Sequence, residues 1–336
     1  MLRKSELLQE GKQAVCTVID PGLMSTVQDQ GRRGYRAFGM PLSGVMDRYA
    51  FTMANILAGN GRDAASLEMT MRGGRFWFAT ETYVAVCGTD MQGKLNGRKI
   101  RNWSGFYVPR DSELAFGFAA TGCRAYVAFS GGIAVPQVMG SRSTYLRGRL
   151  GGYQGRALQA GDVLEIGRVE VLPIRLNELA HSLVPNYAND LRLRVILGPQ
   201  DDLFTEDGIS VLLSAAYTVS TRNDRMGYLL EGARITHKNG PDIVSDALCP
   251  GAVQVPGNSM PMIMTADCQT MGGYAKIGTV IGADLAQLAQ AKAGDRISFV
   301  ACNDAEAIAA LIAEEEHYEK ASSLSLARVN VLVRPE

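Results

Sequence analysis

The chain has 336 residues, 46% of them hydrophobic and 20% charged, enough for two globular domains of ordinary composition. Its 34 basic and 34 acidic side chains cancel, which removes any general attraction to nucleic acid or to an anionic membrane. No apolar run approaches the about 18 residues of a membrane span, the start MLRKSELLQEGKQ lacks a signal-peptide core, and the six scattered cysteines form no C-x-x-C pair, so a cytoplasmic protein with reduced thiols is expected.

In chain order, the short apolar runs Ala14–Ile19, Phe76–Phe78, Tyr83–Cys87, Ala125–Phe129, Val163–Ile166, Leu191–Leu197, Tyr217–Val219 and Ile297–Val300 read as strands. Turn sequences separate them: DPG at 20–22, NG at 96–97, GG at 131–132, AGD at 160–162 and NGP at 239–241. Such spacing predicts sandwiches or barrels. Helical periodicity is confined to Asp47–Leu57, Phe204–Leu213, Asp284–Ala291 and Ala305–Lys320. A faint repeat, Arg32-x-Gly34-Tyr35 and Arg225-x-Gly227-Tyr228, suggests duplicated β domains. Asp111, Leu114 and Phe116 are loosely echoed by Asp295, Ile297 and Phe299, and glycine-rich turns matching by chance are the competing account. The expected units are an N-terminal domain over 14–185, a C-terminal domain over 186–304 and a helical and extended tail over 305–336, with the join inside Leu176–Asp190.

The densest chemistry lies in residues 252–281. Gln254, Asp267, Gln269, Thr270 and Tyr274 stand among small and apolar residues there. The polar cluster follows the strand-like run Met262–Ala266, a common position for ligand contacts held by a rigid scaffold. A turn in which Asp267 and Thr270 satisfy their own backbone is the alternative. Asp47 caps the first helix or touches substrate, with Asn55 and Glu68 close behind, and Asp267 and Glu68 are candidate bases where burial tunes them. Arg142 and Ser143, in Gly140-Ser-Arg-Ser-Thr144, either grip a carboxylate or complete a turn. Gly148–Gly155, flanked by Arg147, Arg149 and Arg156, is a glycine-rich hairpin or a phosphate contact. The three histidines, His181, His237 and His317, have no metal-ligand spacing, so no metal is expected.

Seven segments together, GRRGYRAFGMPLSGVMD, ANILAGN, AASLEMT, SGGIAVPQVMGSRSTYLRGRLGGYQGRAL, GPQDDLF, DRMGYLLEG and ADCQTMGGYAKIGTVIGADLAQLAQ, resemble the biotin-dependent carboxyltransferase-like family. It is also called allophanate hydrolase subunit 2 or KipA-like, and includes the C component of bacterial 5-oxoprolinase. The resemblance covers roughly residues 15–302. It implies a mainly β fold of two tandem cyclophilin-like β-barrels with a few short helices. It implies a KipI-like B component that, with this chain, uses ATP to activate 5-oxoproline, and a LamB/YcsF-like A component that completes hydrolysis to glutamate. The isolated chain is then inactive. Within this reading Asp267, Gln269 and Thr270 are the catalytic candidates. Asp47, Asn55, Glu68, Arg142, Ser143, Arg225, Gln254 and Tyr274 are the candidates for holding a small amide or lactam. Two alternatives follow from the same resemblance. One is a carboxyltransferase acting on urea or another amide, with biotin on a separate carrier, because the chain has no A-M-K-M motif. The other is a regulator that binds a KipI-like protein. Asn258-Ser259-Met260 and Ala291–Asp295 depart from the family pattern in lacking expected glycine or proline.

Overall fold

The computed structural model describes residues 14–167 and 177–329. The first half contributes β1 (Ala14–Asp20), β2 (Met24–Gln28), α1 (Arg48–Leu57), β3 (Ser66–Thr70), β4 (Arg75–Phe78), β5 (Thr82–Gly88) and β6 (Lys94–Leu95). It continues with β7 (Arg98–Lys99), β8 (Ser104–Val108), β9 (Ser112–Ala115), β10 (Arg124–Phe129), β11 (Val163–Ile166) and β12 (Asn177–Glu178). These form two six-stranded sheets, ordered β11-β1-β4-β9-β6-β7 and β12-β8-β5-β10-β3-β2. The second half contributes β13 (Asp190–Leu197), α2 (Glu206–Ser214), β14 (Ala216–Val219), β15 (Gly227–Glu231), β16 (Asp242–Ala247) and β17 (Ala252–Gln254). It ends with β18 (Met262–Met264), β19 (Met271–Tyr274), β20 (Lys276–Val280), α3 (Leu285–Leu288), β21 (Arg296–Ala301) and α4 (Asp304–Val329). Seven of these strands close a barrel, β13-β20-β17-β18-β15-β14-β21, while β16 and β19 form a separate two-stranded ribbon.

Side-chain alternation explains which strand faces what. In β13, Leu191, Leu193 and Val195 point into the barrel while Asp190 and Arg192 point out. Strand β10 is buried on both faces. Its Ala125, Val127 and Phe129 face the core between the two sheets, and its Tyr126 and Ala128 face α1. Helix α1 is therefore covered on nearly all sides, with Tyr49 through Leu57 buried, so apolar residues around its whole circumference are what the site requires. Asp47 starts it by accepting a hydrogen bond from Ala50 N at 2.9 Å.

The four expected helices are present, though α3 is cut to Leu285–Leu288 and α4 runs on to Val329 through residues that alternate weakly in sequence. The N-terminal dozen residues and residues 330–336 lie outside the described part. The Arg-x-Gly-Tyr echo does not mark equivalent positions. Arg225 leads into β15, whose Tyr228 sits in the barrel core, whereas Arg32 and the exposed Tyr35 belong to the loop between β2 and α1. Gly34 takes a left-handed φ of 90° in a turn, while Gly227 is a strand residue, so the shared letters arise from different local needs.

Candidate functional site

The two halves meet over a buried ion network. Glu68 lies in β3 between Leu67 and Met69, which face the sheet core, so its carboxylate points to the opposite face. Register pairs it with Tyr126 of β10, and the Tyr126 hydroxyl donates to Glu68 Oε2 at 2.8 Å. From the barrel, Arg225 stands just before β15 and Asp267 just after β18, and these strands pair antiparallel. Their ends are tied by Asp267 N donating to Arg225 O at 2.8 Å. The Arg225 guanidinium then forks onto Asp267, Nε to Oδ2 at 3.0 Å and Nη2 to Oδ1 at 3.1 Å. Its Nη1 crosses the junction to Glu68 Oε1. Burial opposes the charge on Arg225, and the Asp267 and Glu68 carboxylates more than offset it, so its pKa is raised.

This network frames a short backbone segment ahead of α1. Ser43 N donates to Ala266 O at 2.9 Å, Val45 N to Asp29 O at 2.9 Å and Met46 N to Glu68 Oε2 at 2.9 Å, while Gly44 O accepts from Arg225 Nη2. Gly44 has φ 86°, and a Cβ there would meet Gly31 N at 2.8 Å, so only glycine passes this close to the neighbouring loop. A second tie runs through Gln290. Its Oε1 accepts from Cys123 N at 3.0 Å and Arg124 N at 2.9 Å, and its Nε2 donates to Asp47 Oδ2 at 2.7 Å and Arg124 O at 2.9 Å. Asp47 also accepts from the Tyr187 hydroxyl at 3.0 Å. Burial nevertheless dominates and pushes its carboxyl up to about 6.

One side of the network opens to a cleft of about 370 Å³, with Arg124, Arg225 and Asp267 at its floor and Arg147 and Asp224 at its rim. Among the sequence candidates, Glu68, Arg225 and Asp267 come together here, and Asp47 lies one hydrogen bond away, since its backbone N donates to the Tyr126 hydroxyl at 2.8 Å. The others go elsewhere. Asn55 closes the turn after α1, donating to Ala64 O at 2.9 Å and accepting from Asn60 Nδ2 at 2.9 Å. Arg142 and Ser143 bind Asp29, through the Arg142 backbone N and the Ser143 hydroxyl, and Arg142 Nε reaches Val135 O at 2.9 Å. Gln254 is buried against the β16–β19 ribbon, its Nε2 donating to Tyr274 O at 3.0 Å, and Tyr274 is 39% exposed. Gln269 is exposed, and Thr270 offers its carbonyl to Leu248 N at 2.9 Å. None of these residues lines the cleft. Arg124, Tyr126 and Gln290 entered the network without a local sequence signal, because each acts through partners more than 50 residues away, such as Tyr126 on Glu68 and Gln290 on Asp47.

Residues 38–301 match the family described as carboxyltransferase domain, subdomain A and B. The chain belongs to this carboxyltransferase family. It is 34% identical over 305 residues to the C component of Escherichia coli 5-oxoprolinase, covering 90% of this chain and 96% of that one. It is 35% identical over 307 residues to urea amidolyase of Lachancea kluyveri, covering 84% of this chain but 17% of that longer protein. The crystal structure of Kluyveromyces lactis urea carboxylase superposes with a TM-score of 0.88 at 31% identity, over 99% of this chain and 31% of that one. In this member of the family the glycine-rich segment serves its own packing. A Cβ on Gly152 would lie 1.8 Å from Thr144 Oγ1, and one on Gly155 2.1 Å from Arg149 O, so close approach of neighbouring protein atoms requires glycine at both positions. Among the described residues no three His, Cys, Asp or Glu side chains gather as a metal site, and no helix is long and apolar enough to cross a membrane.

Proposed function

We propose that this chain is the C component of an ATP-dependent 5-oxoprolinase. In this reading it acts with a KipI-like B component to activate 5-oxoproline, and a LamB/YcsF-like A component completes hydrolysis to glutamate. The observation that carries it is coverage: the likeness to the Escherichia coli 5-oxoprolinase component takes in 90% of this chain and 96% of that relative. Activation of a lactam places negative charge on its oxygen, which calls for fixed donors and cations near the reacting centre. The junction between the halves supplies them in two places, the buried pair Arg124 and Arg225 with the exposed Arg147 around the cleft and the exposed Arg33 and Arg48 at a smaller cavity. ATP is held jointly with the B component in this reading.

A second reading, a carboxyltransferase for urea or a related amide, draws on the 0.88 TM-score against urea carboxylase. Biotin would then arrive on a separate carrier. Co-purifying the chain with its A-type and B-type partners and assaying glutamate separates the two. The first reading expects ATP-dependent release of glutamate from 5-oxoproline by the three-component mixture and none by this chain alone. Absence of glutamate from a mixture in which all three proteins are folded and associated would overturn it.

A further inference from the structure

The segment that the ion network holds in place carries one group left without a partner. Ser43 has φ 54°, a left-handed conformation that residues with a Cβ rarely hold. The residue is 2% exposed, and its hydroxyl has no hydrogen-bond partner. Neighbouring hydroxyls are satisfied: Ser141 donates to Asp29 at 2.6 Å and Thr265 to Arg225 O at 2.7 Å. A buried hydroxyl left open is unusual, and strain at the same residue makes it more so.

Ser43 lines a cavity of about 110 Å³ on the junction between the two halves. Its apolar walls come from both, Leu42, Val45 and Met46 from one and Ala266, Leu285 and Leu288 from the other. Arg33 and Arg48 stand exposed at the same cavity, and both guanidinia converge on Gln30 Oε1, at 3.2 and 3.5 Å. Among the described residues neither arginine sits in an ion pair, so their charge is available to an anion. For scale, an engineered cavity of about 150 Å³ holds benzene, so this one suits a single small ring.

We propose that the cavity binds a small carboxylated ring bearing a carbonyl or ring N–H. The Arg33 and Arg48 guanidinia take the carboxylate, and the Ser43 hydroxyl bonds the ring's polar atom. The choice of 5-oxoproline as that ring rests on the function proposed above. The strain at Ser43 then has a reason, since that conformation sets the residue in the cavity wall, and the contacts from Ala266, Arg225, Asp29 and Glu68 hold the backbone there.

The test is titration of 5-oxoproline into the full chain, alone and with the B-type partner, read by calorimetry. Ser43→Gly removes the hydroxyl and relaxes the backbone, so the variant folds at least as well as the parent. It is expected to bind 5-oxoproline about tenfold or more weakly, the loss of one hydrogen bond in a buried site. Arg33→Ala with Arg48→Ala should weaken 5-oxoproline but leave binding of 2-pyrrolidinone, which has no carboxylate, unchanged. Equal affinity of Ser43→Gly and wild type, no binding to wild type in either form, or a crystal structure with ligand elsewhere and only water at Ser43 would overturn the proposal. If the three-component mixture makes no glutamate while the chain still binds 5-oxoproline through Ser43, the functional reading fails and the site stands. If glutamate forms with the same KM for Ser43→Gly and wild type, the site fails and the functional reading stands.

Discussion

Arg225 serves two carboxylates and one carbonyl at once, all of them buried. Removing it takes the forked partner from Asp267 and leaves Glu68 only the more distant Arg124 guanidinium, 3.9 Å away. Arg225→Met is therefore expected to cost about 3–5 kcal/mol of unfolding free energy, measured by urea titration. A loss below about 1 kcal/mol would mean that the two carboxylates are not held by this guanidinium. Asp47 gives a pH signature. Its carboxyl ionises near about 3.9 in an unfolded chain and is pushed up to about 6 here by burial. Between those values the folded protein holds the proton more tightly. The group's stabilising contribution is therefore full below about pH 4 and is lost as pH rises through about 6, on the order of 3 kcal/mol in all. Asp47→Asn should flatten that part of the stability profile, and an unchanged slope in the variant would refute the assignment. Asp267 was legible as a polar residue following the strand-like run Met262–Ala266, Glu68 as a candidate base and Arg225 through the family resemblance. Arg124, Tyr126 and Gln290 were not, because their partners are fixed by strand register and by the meeting of two halves.

At the scale of elements, strands such as β13 were legible because inward and outward side chains alternate, and α1 because a capping Asp47 precedes an apolar run. The β16–β19 ribbon was not, since β16 is mostly exposed and lacks an apolar face. Helix α4 was legible as a helix but its docking was not. It returns to the first half and packs on α1 through Tyr318, whose ring centroid lies 5.6 Å from that of Tyr49, while Arg62 stacks 5.2 Å from the Tyr318 ring. Tyr318→Ala is expected to lower the opening free energy of α4 by about 3 kcal/mol, read by amide hydrogen exchange, with the β13 amides little changed. Unaltered exchange in α4 would show that this ring does not anchor it.

Across the whole molecule, the mainly β architecture followed from many short apolar runs between turns, and the seven-stranded barrel is its clearest realisation. The halves differ in sheet arrangement, and the sequence echo between Arg32 and Arg225 is no guide to their correspondence. What unites them is the junction, where Glu68 and Gly44 of one half meet Arg225 and Asp267 of the other and where the cleft and the smaller cavity described above lie. On the function proposed above, a substrate acted on there touches both halves, and its site is completed by other proteins of the complex. The most direct measurement is ATP hydrolysis by the chain assembled with its A-type and B-type partners, compared with 5-oxoproline and with urea plus a biotinylated carrier. The account predicts hydrolysis stimulated by 5-oxoproline and coupled to glutamate release, with no stimulation by urea. Stimulation by urea and carrier with none by 5-oxoproline would contradict it.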